Sequence, residues 1–195
     1  MKGIKHITLA AACLITSTAF AVQPIPTGWY LEGNIGKSKT HDVNYGTGLS
    51  VSNSGLGWNI NGGFKFIPYF AAEVGYTRYS DTTVKSGGTT VAKTDGAYAY
   101  DIAGKAILPV YDSGFELFAK LGLASIHTHT TASTVVSGVT VNTGTDTDTA
   151  PYYGVGGEYY FTMNFAGNLQ WQRSAGNNST GKLDLYSLGL SYLFA

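Results

Sequence analysis

Apolar and polar side chains alternate along most of this chain. The segment 186–194 shows the pattern most clearly, because its even positions are large and apolar while its odd positions are mostly small or polar. Successive side chains of a strand point to opposite faces, so such a segment has one apolar face and one small, wettable face. The alternation therefore predicts β-strands.

Eight segments of about ten residues share this pattern, and ten residues is the length of a tilted strand that crosses a membrane. They cover 28–39, 55–67, 69–80, 97–108, 115–127, 152–161, 164–173 and 183–194. Long polar connections (40–54, 81–96, 128–151 and 174–182) alternate with short ones around 68, 109–114 and 162–163. Antiparallel barrels have such short periplasmic turns and long outer loops. The predicted fold class is all-β, an eight-stranded antiparallel transmembrane β-barrel with both termini on the periplasmic side.

The predicted register places two rings of aromatic residues on the outward face. The periplasmic ring contains Trp29, Phe70, Phe115, Phe165 and Phe194, and the outer ring contains Trp58, Tyr76, Tyr98, Tyr153 and Trp171. Aliphatic residues such as Leu31, Ile102 and Leu190 lie between the rings. Two aromatic belts around an aliphatic band are typical of a membrane barrel. A soluble barrel would instead place its large apolar residues inside.

The first residues have the features of a secretory signal peptide. Lys2 and Lys5 precede an apolar stretch that ends in the small-x-small sequence at 19–21. We therefore predict a signal peptide at 1–21, cleaved after Ala21, and a barrel domain at 22–195. Cys13 follows three alanines and faintly resembles a lipoprotein box, which is the alternative.

Cleavage after Ala21 would remove the only cysteine, which excludes disulfides and cysteine-based metal sites from the mature chain. It would also remove Lys2 and Lys5, leaving ten of the twelve basic residues against twelve acidic ones, a formal charge of −2. This balance gives no electrostatic reason to expect nucleic-acid binding.

Three segments resemble the eight-stranded barrel of the outer-membrane protein A family and its small surface-antigen relatives. They are GWYLEG at 28–33, PYFAAEVGY at 68–76 and SLGLSYLF at 187–194. The resemblance covers essentially the whole predicted mature chain. It implies a bacterial outer-membrane location, insertion by the barrel-assembly machinery, contact with outer-membrane lipids and lipopolysaccharide, and a monomer.

The sequence departs from the family at its C-terminal end. Nothing follows Ala195, so we expect the periplasmic peptidoglycan-binding domain of full-length outer-membrane protein A to be absent. Ala195 also follows Phe194, where the family usually ends its barrel on an aromatic residue or continues.

Period-two counting directs an interior charge network into the barrel: Glu73, Asp101, Lys105, Lys120 and Glu158, with Glu32 and Lys65 on the same face. Eight strands enclose a space that side chains nearly fill. Ionised groups in such a narrow interior must form pairs, because desolvating an unpaired charge costs several kcal/mol. A plug of salt bridges is therefore the structural hypothesis.

The resemblance implies a second hypothesis, a gate. In outer-membrane protein A an interior Glu exchanges partners between a Lys and an Arg and thereby modulates ion passage. Glu73 matches that Glu, Lys105 matches the Lys, and Glu158 matches a further acid. Asn168 stands where the Arg is expected and cannot form the same ion pair.

Enzymatic chemistry is not predicted. His127 and His129 follow the fifth strand, and His41 lies in the first long connection. A hydrolase needs a nucleophile within hydrogen-bond reach of a base. No Ser has the spacing of the lipid A deacylases, and Ser125 is expected to face outward at the belt.

Metal and cofactor sites are also not predicted. His127 and His129 share one strand face, and Asp146 and Asp148 alternate in the third long connection. Two ligands are too few for a zinc site, and the Asp spacing differs from a calcium loop.

The longest connection, 128–151, contains two valine-rich segments at 134–136 and 139–141 around Ser137 and Gly138. This pattern predicts a β-hairpin above the membrane. Loops on a rigid scaffold often carry recognition. The predicted function is therefore structural and surface-interactive, with a host or phage ligand at the outer loops. A narrow porin-like channel for ions or small solutes, gated by interior charges, is the alternative.

Overall fold

A computed structural model describes residues 27–41, 50–52, 54–86, 89–94, 96–110, 113–132, 144–177 and 180–194. These residues form eleven β-strands: β1 Gly28–His41, β2 Ser50–Ser52, β3 Ser54–Ile67, β4 Phe70–Arg78, β5 Thr82–Ser86, β6 Thr89–Thr94, β7 Tyr98–Val110, β8 Phe115–Ala132, β9 Gly144–Tyr160, β10 Phe165–Ala175 and β11 Lys182–Phe194. Within these ranges, no helix is long and apolar enough to cross a membrane. The predicted signal peptide at 1–21 lies outside the described residues and stays a prediction.

Eight of the strands close into an antiparallel barrel in the order β1, β3, β4, β7, β8, β9, β10 and β11. The seam between β1 and β11 runs without interruption from Trp29 opposite Phe194 to His41 opposite Lys182. No strand edge is left open to lipid around this ring, which is the requirement for a sheet in hydrocarbon. The predicted fold class is confirmed, and each predicted segment contributes one barrel strand.

The short connections are tight turns held by local hydrogen bonds. Between β7 and β8, the Ser113 hydroxyl donates to the Val110 carbonyl at 2.7 Å, and Gly114 adopts a φ of +70°. Between β9 and β10, the Thr162 hydroxyl accepts hydrogen bonds from the amides of Asn164 and Phe165, at 3.3 and 3.0 Å. Ser and Thr hydroxyls stabilise turns in this way, and Gly readily takes a positive φ.

The wall of the barrel is apolar outside and largely polar inside. The large apolar residues of the outward positions are exposed, among them Leu121 at 71% and Leu190 at 61%. Their sequence neighbours Lys120 and Ser191 are buried. This distribution is the reverse of a soluble protein, where charged residues are rarely buried, and it suits a barrel surrounded by lipid.

A sheet extension continues β8 and β9 beyond the barrel. β8 pairs with β7 as far as His127, and further out it pairs with β6 at Thr130–Ala132, while β9 follows β8 outward to Gly144. β5 pairs with β6, and the short β2 pairs with β5. The prediction of loops at 40–54, 81–96 and 128–151 is therefore wrong in part, because strands occupy part of each. Threonine is polar but β-branched, so these Thr-rich segments suit strands. The predicted hairpin tip falls in 133–143, outside the described residues.

Candidate functional site: the charged interior of the barrel

A layer of charged side chains fills the middle of the barrel. They lie on the inward faces of five strands, and β7 supplies two of them. The members are Glu32 of β1, Glu73 of β4, Asp101 and Lys105 of β7, Lys120 of β8 and Glu158 of β9. All six are buried. The residues predicted as an interior charge network thus lie in one layer, to which Glu32 also belongs.

Lys105 lies between three carboxylates. Its Nζ atom is 3.2 Å from Glu158 Oε2, 3.6 Å from Glu32 Oε2 and 3.7 Å from Glu73 Oε1. The ammonium group also lies 4.2 Å from the ring centroid of Phe118. Cation–π attraction is strongest where the cation is desolvated, as it is here. Lys105 therefore links strands β1, β4 and β9 across the interior.

Lys120 is the nearer partner of Glu73, with 2.9 Å between Nζ and Oε2. The Tyr30 hydroxyl donates to the other oxygen of Glu73 at 2.7 Å. The resemblance implied Lys105 as one of the exchanging partners of Glu73, and the structure places that ammonium at 3.7 Å. Both lysines contact Glu73 and Glu32, so the four groups form one coupled cluster.

Glu32 is fully buried and is surrounded by amide side chains. Its Oε1 atom accepts hydrogen bonds from Asn34 at 2.8 Å, Asn61 at 3.0 Å and Gln170 at 3.0 Å, and it lies 3.4 Å from Lys120. Hydrogen bonds to an ionised acceptor are roughly twice as strong as neutral ones. The amides were not singled out by charge counting, although they lie on the same period-two face.

Several interior residues have unused hydrogen-bonding capacity, among them Asp101 and Asn168. Asp101 is buried, and its Oδ2 atom has no hydrogen-bond partner among the described residues. Neither polar atom of the Asn168 side chain has one within the same residues. Buried polar groups in proteins are usually satisfied by protein or by ordered water. The middle layer is therefore polar enough to take up water.

A second ion pair lies nearer the periplasmic end. Lys65 Nζ is 2.7 and 2.9 Å from the two carboxylate oxygens of Glu116, and both side chains are buried. Glu116 lies directly after Phe115 at the start of β8. Glu116 was not predicted as a member of the interior network, although the same alternation of side chains places it on the inward face.

Apolar clusters lie on both sides of the charged layer. On the periplasmic side Tyr30, Ala71, Ile107, Phe118 and Leu193 pack together. The cluster on the outer side has more members, half of them alanines: Tyr79, Ala97, Ala99, Ala103, Ala124, Ile126, Ala150, Tyr152, Leu183 and Leu185. A polar interior was predicted, and the apolar clusters at its two ends were not. The charged layer therefore lies between two groups of buried apolar side chains, and polar side chains such as Gln172 and Ser174 lie beside the outer group.

The ten predicted belt residues all lie on outward positions. In the periplasmic ring, Trp29, Phe70, Phe115, Phe165 and Phe194 are between 38% and 66% exposed. In the outer ring, Trp58 is exposed and Tyr76, Tyr98, Tyr153 and Trp171 are half-buried. Neighbouring rings of the outer belt contact one another. The ring centroids of Trp58 and Tyr76 are 5.5 Å apart, and those of Tyr153 and Trp171 are 5.8 Å apart. Phe64 and Tyr100 extend the rings and were not predicted.

The histidines of β8 form local contacts on the outward face. Ser125 Oγ lies 3.3 Å from His127 Nε2, and the Thr147 hydroxyl lies 3.0 Å from His127 Nδ1. Ser125 lies on the outward face, as predicted, and contacts His127 two residues further along the same strand. In a catalytic triad the third group is a carboxylate, which stabilises the imidazolium that forms. Thr147 is neutral and cannot do this. In the described ranges, no three His, Cys, Asp or Glu side chains are grouped to hold a metal ion.

Comparison with known proteins gives the family. The family model described as "OmpA-like transmembrane domain" matches residues 26–195. Outer membrane protein A of Salmonella typhi is 28% identical over 204 residues, covering 98% of this chain and 56% of the relative. An uncharacterized protein of Coxiella burnetii is 27% identical over 214 residues, covering 86% of this chain and 85% of the relative. The chain therefore spans about half the length of the Salmonella relative.

Solved structures show the same fold. Outer membrane protein OprG from Pseudomonas aeruginosa aligns with a TM-score of 0.63 at 12% identity, covering 89% of this chain and 99% of OprG. Ail, the attachment invasion locus protein of Yersinia pestis, solved with the heparin analogue sucrose octasulfate, aligns with a TM-score of 0.57 at 14% identity. That alignment covers 86% of this chain and 99% of Ail. With the closed eight-stranded barrel, the family match shows that the chain belongs to the OmpA-like transmembrane domain family and lies in the bacterial outer membrane.

Proposed function

We propose that this protein is a non-enzymatic outer-membrane scaffold with a sealed interior, and that its sheet extension provides an interaction surface outside the cell. The observation that carries the proposal is the layering of the interior. Lys105 and Lys120 join carboxylates of three strands, and apolar clusters cover this charged layer on both sides. A continuous water path would require rearranging Tyr152, Leu183 and Leu185 as well as breaking ion pairs.

The second candidate is a narrow porin-like channel for ions or small solutes. It is supported by the unused hydrogen-bonding capacity of Asp101 and Asn168 and by the shared contacts of Glu73 with both lysines. Conduction through this interior would begin with an exchange of partners between Lys105 and Lys120. The scaffold and the channel therefore differ in whether the apolar clusters open.

Glu73→Gln separates these two functions. We expect the refolded mature wild-type protein to be silent in planar-bilayer recordings, because the apolar clusters interrupt the water path. Glu73→Gln should also be silent, and it should unfold at a lower urea concentration because Lys120 loses its 2.9 Å partner. Folding is verified by the slower migration of boiled samples in electrophoresis. Discrete wild-type steps that shift in Glu73→Gln would overturn the sealed scaffold and establish the channel.

The sheet extension supports a surface role. The outer part of β9, Gly144 to Thr149, is mostly exposed and pairs with β8 on one side, whereas β10 begins its pairing with β9 only at Tyr152. Such a strand presents side chains and one backbone edge to the outside, and sheet edges can bind extended peptides. Ail was solved with a heparin analogue, which shows that a barrel of this fold can hold a ligand. At 14% identity, the likeness to Ail shows a shared fold and does not assign the same ligand to this protein.

Cysteine labelling tests which end of the barrel is outside the cell. Thr145 is exposed in the extension, and Met163 is 54% exposed in the β9–β10 turn. In intact bacteria a membrane-impermeant maleimide should label Thr145→Cys and leave Met163→Cys unlabelled, because short turns face the periplasm. Permeabilising the outer membrane should make both labelled. Labelling of Met163→Cys alone in intact cells would place the extension in the periplasm and exclude it as a surface for external partners.

We further infer that the barrel is exported, with the signal peptide at 1–21 removed after Ala21, and is inserted as a monomer by the barrel-assembly machinery. The basic, apolar and small-residue regions of the first 21 residues support export. The uninterrupted β1–β11 seam supports a monomer, because one chain closes the barrel by itself. Lipopolysaccharide and other outer-membrane lipids are its surrounding partners, and a host or phage ligand is the partner class for the extension.

A further inference from the structure

Basic side chains are concentrated on the lipid-facing side of three neighbouring strands, β10, β11 and β1. The cross-strand register arranges them in rows that rise from the outer aromatic belt. These rows are Trp171, Tyr186 and Lys37; then Arg173, Asp184 and Lys39; then Ala175, Lys182 and His41. Four of these nine residues are Lys or Arg, and Asp184 is the single acid. The rows therefore carry a formal charge of +3 before any contribution from His41.

The central row is ordered by Asp184, which is 1% exposed although it points outward. Its carboxylate accepts from Arg173 Nε at 2.6 Å and from Arg173 Nη2 at 2.7 Å, and it lies 3.2 Å from His41 Nε2. A bidentate pair of this kind fixes the plane of the guanidinium. Arg173 also lies over the Trp171 ring, at 5.4 Å from its centroid. Asp184 and Trp171 thus hold Arg173 in place at the edge of the belt.

Of the two lysines of β1, Lys39 belongs to this row and Lys37 to the row below it. Lys37 is exposed beside Tyr186, and Lys39 lies over the Tyr186 ring with its Nζ atom 5.9 Å from the centroid. Lysine side chains near a membrane surface extend toward the polar layer, where their ammonium groups meet lipid headgroups. Their position directly above an aromatic belt is the depth of those headgroups.

The rest of the outer rim differs in charge. The described outward positions of β7, β8 and β9 carry no Lys or Arg, and near the rim they present Tyr98, Tyr100, Ser125 and His127. A single outward cation, Arg78, lies on β4, where its guanidinium packs against Gly96. Among the described outward positions of the eight barrel strands, the Lys and Arg residues are therefore concentrated in the sector of β10, β11 and β1.

We propose that Lys37, Lys39 and Arg173 form a binding site for the phosphate groups of an outer-leaflet lipid, with Lys182 in the row above. Lysine binds phosphate as a mobile point charge, and Arg173 can add only the N–H donors that Asp184 and Tyr153 do not take. A lipid is the occupant because the site faces the lipid side of the wall at headgroup depth. The inference depends on the outer-membrane location and not on the sealed interior or the sheet extension.

Lipid A with both phosphates is the probe. The mature protein, refolded in dodecylmaltoside micelles, is titrated with it, and bound lipid is counted by native mass spectrometry. We expect the variant Lys37→Gln/Lys39→Gln to bind about tenfold or more weakly, since each basic residue near a charged surface contributes substantially to binding. Arg78→Gln removes an outward cation outside the sector and should change the affinity less than about threefold.

Wild-type protein with dephosphorylated lipid A provides a test that needs no variant. It should bind as weakly as Lys37→Gln/Lys39→Gln binds the phosphorylated form. Equal wild-type affinity for the two lipids would overturn the proposal, because the phosphates would then contribute nothing. An equal loss in Arg78→Gln and in the double variant would also overturn it, since binding would then follow total charge and not this sector. A wild-type conductance in the bilayer experiment would leave this inference unaffected.

Discussion

Leu190→Arg is expected to lower sharply the fraction of protein that folds into lipid. Leu190 is outward on β11, midway between Phe194 of the periplasmic belt and Tyr186 of the outer ring, and it is 61% exposed. A lipid-facing Arg at the bilayer midplane costs about 2–4 kcal/mol. The folded fraction in phosphatidylcholine vesicles, followed by heat-dependent electrophoretic migration across a urea series, should show a lower midpoint than wild type.

Leu56→Arg is the matched control. Leu56 is also outward and is 68% exposed, but it lies opposite Lys37, level with the outer belt. Arg near the interface costs about 0–1 kcal/mol. Similar losses in both variants would contradict the depth assigned to these positions. Unchanged folding of Leu190→Arg would show that Leu190 does not face lipid.

The positions of the strands, and the face on which each side chain lies, could be predicted from the sequence. The wall of a barrel is a single sheet, and its two faces meet different environments. At mid-membrane one face meets hydrocarbon and the other meets the narrow interior, so Leu190 and Ser191 differ in chemistry as well as in direction. Period-two alternation records this difference directly. The same reasoning placed Glu73, Lys105 and Lys120 on the inner face.

Near the outer rim the inward face becomes apolar and the outward face becomes polar. The apolar cluster there was therefore missed. On β11 the inward residues are Leu183 and Leu185, and the outward residue between them is Asp184. At this height the outward face meets the polar headgroup layer, and the inward face packs against Ile126 and Tyr152. A rule of apolar residues outside, which is correct for mid-membrane positions, fails there for a physical reason.

Partner choice inside the barrel also could not be predicted from the sequence. Counting by two gives the face of a residue but not its height relative to residues on distant strands. That height depends on the tilt and stagger of the strands. Glu73 is consequently nearer to Lys120 than to Lys105, and Lys65 pairs with Glu116. Period-two counting supplied the identity of the charged residues, and the geometry supplied their pairs.

Lys105→Met should destabilise the folded barrel strongly. The substitution keeps an apolar side chain against Phe118 and removes the ammonium group that contacts Glu32, Glu73 and Glu158. Glu32 and Glu73 would keep Lys120, and Glu158 would lose its ammonium partner at 3.2 Å. Removing one partner of a buried ion pair costs about 3–5 kcal/mol, because the remaining charge is left uncompensated. The free energy of unfolding, measured by equilibrium urea titration in vesicles, should fall by an amount in this range.

The double variant Lys105→Met/Glu158→Gln tests whether uncompensated charge is the cause. It removes the ammonium together with its nearest carboxylate, at 3.2 Å, and leaves Lys120 with Glu32 and Glu73. Contacting residues are not additive, so the double variant should be more stable than Lys105→Met alone. If it is less stable, lost packing or lost hydrogen bonds at Lys105 explain the effect. A recovery in the double variant would mean that the Glu158 carboxylate tolerates burial only beside Lys105, so contacts between opposite charges are what allow a sealed scaffold to contain a charged layer.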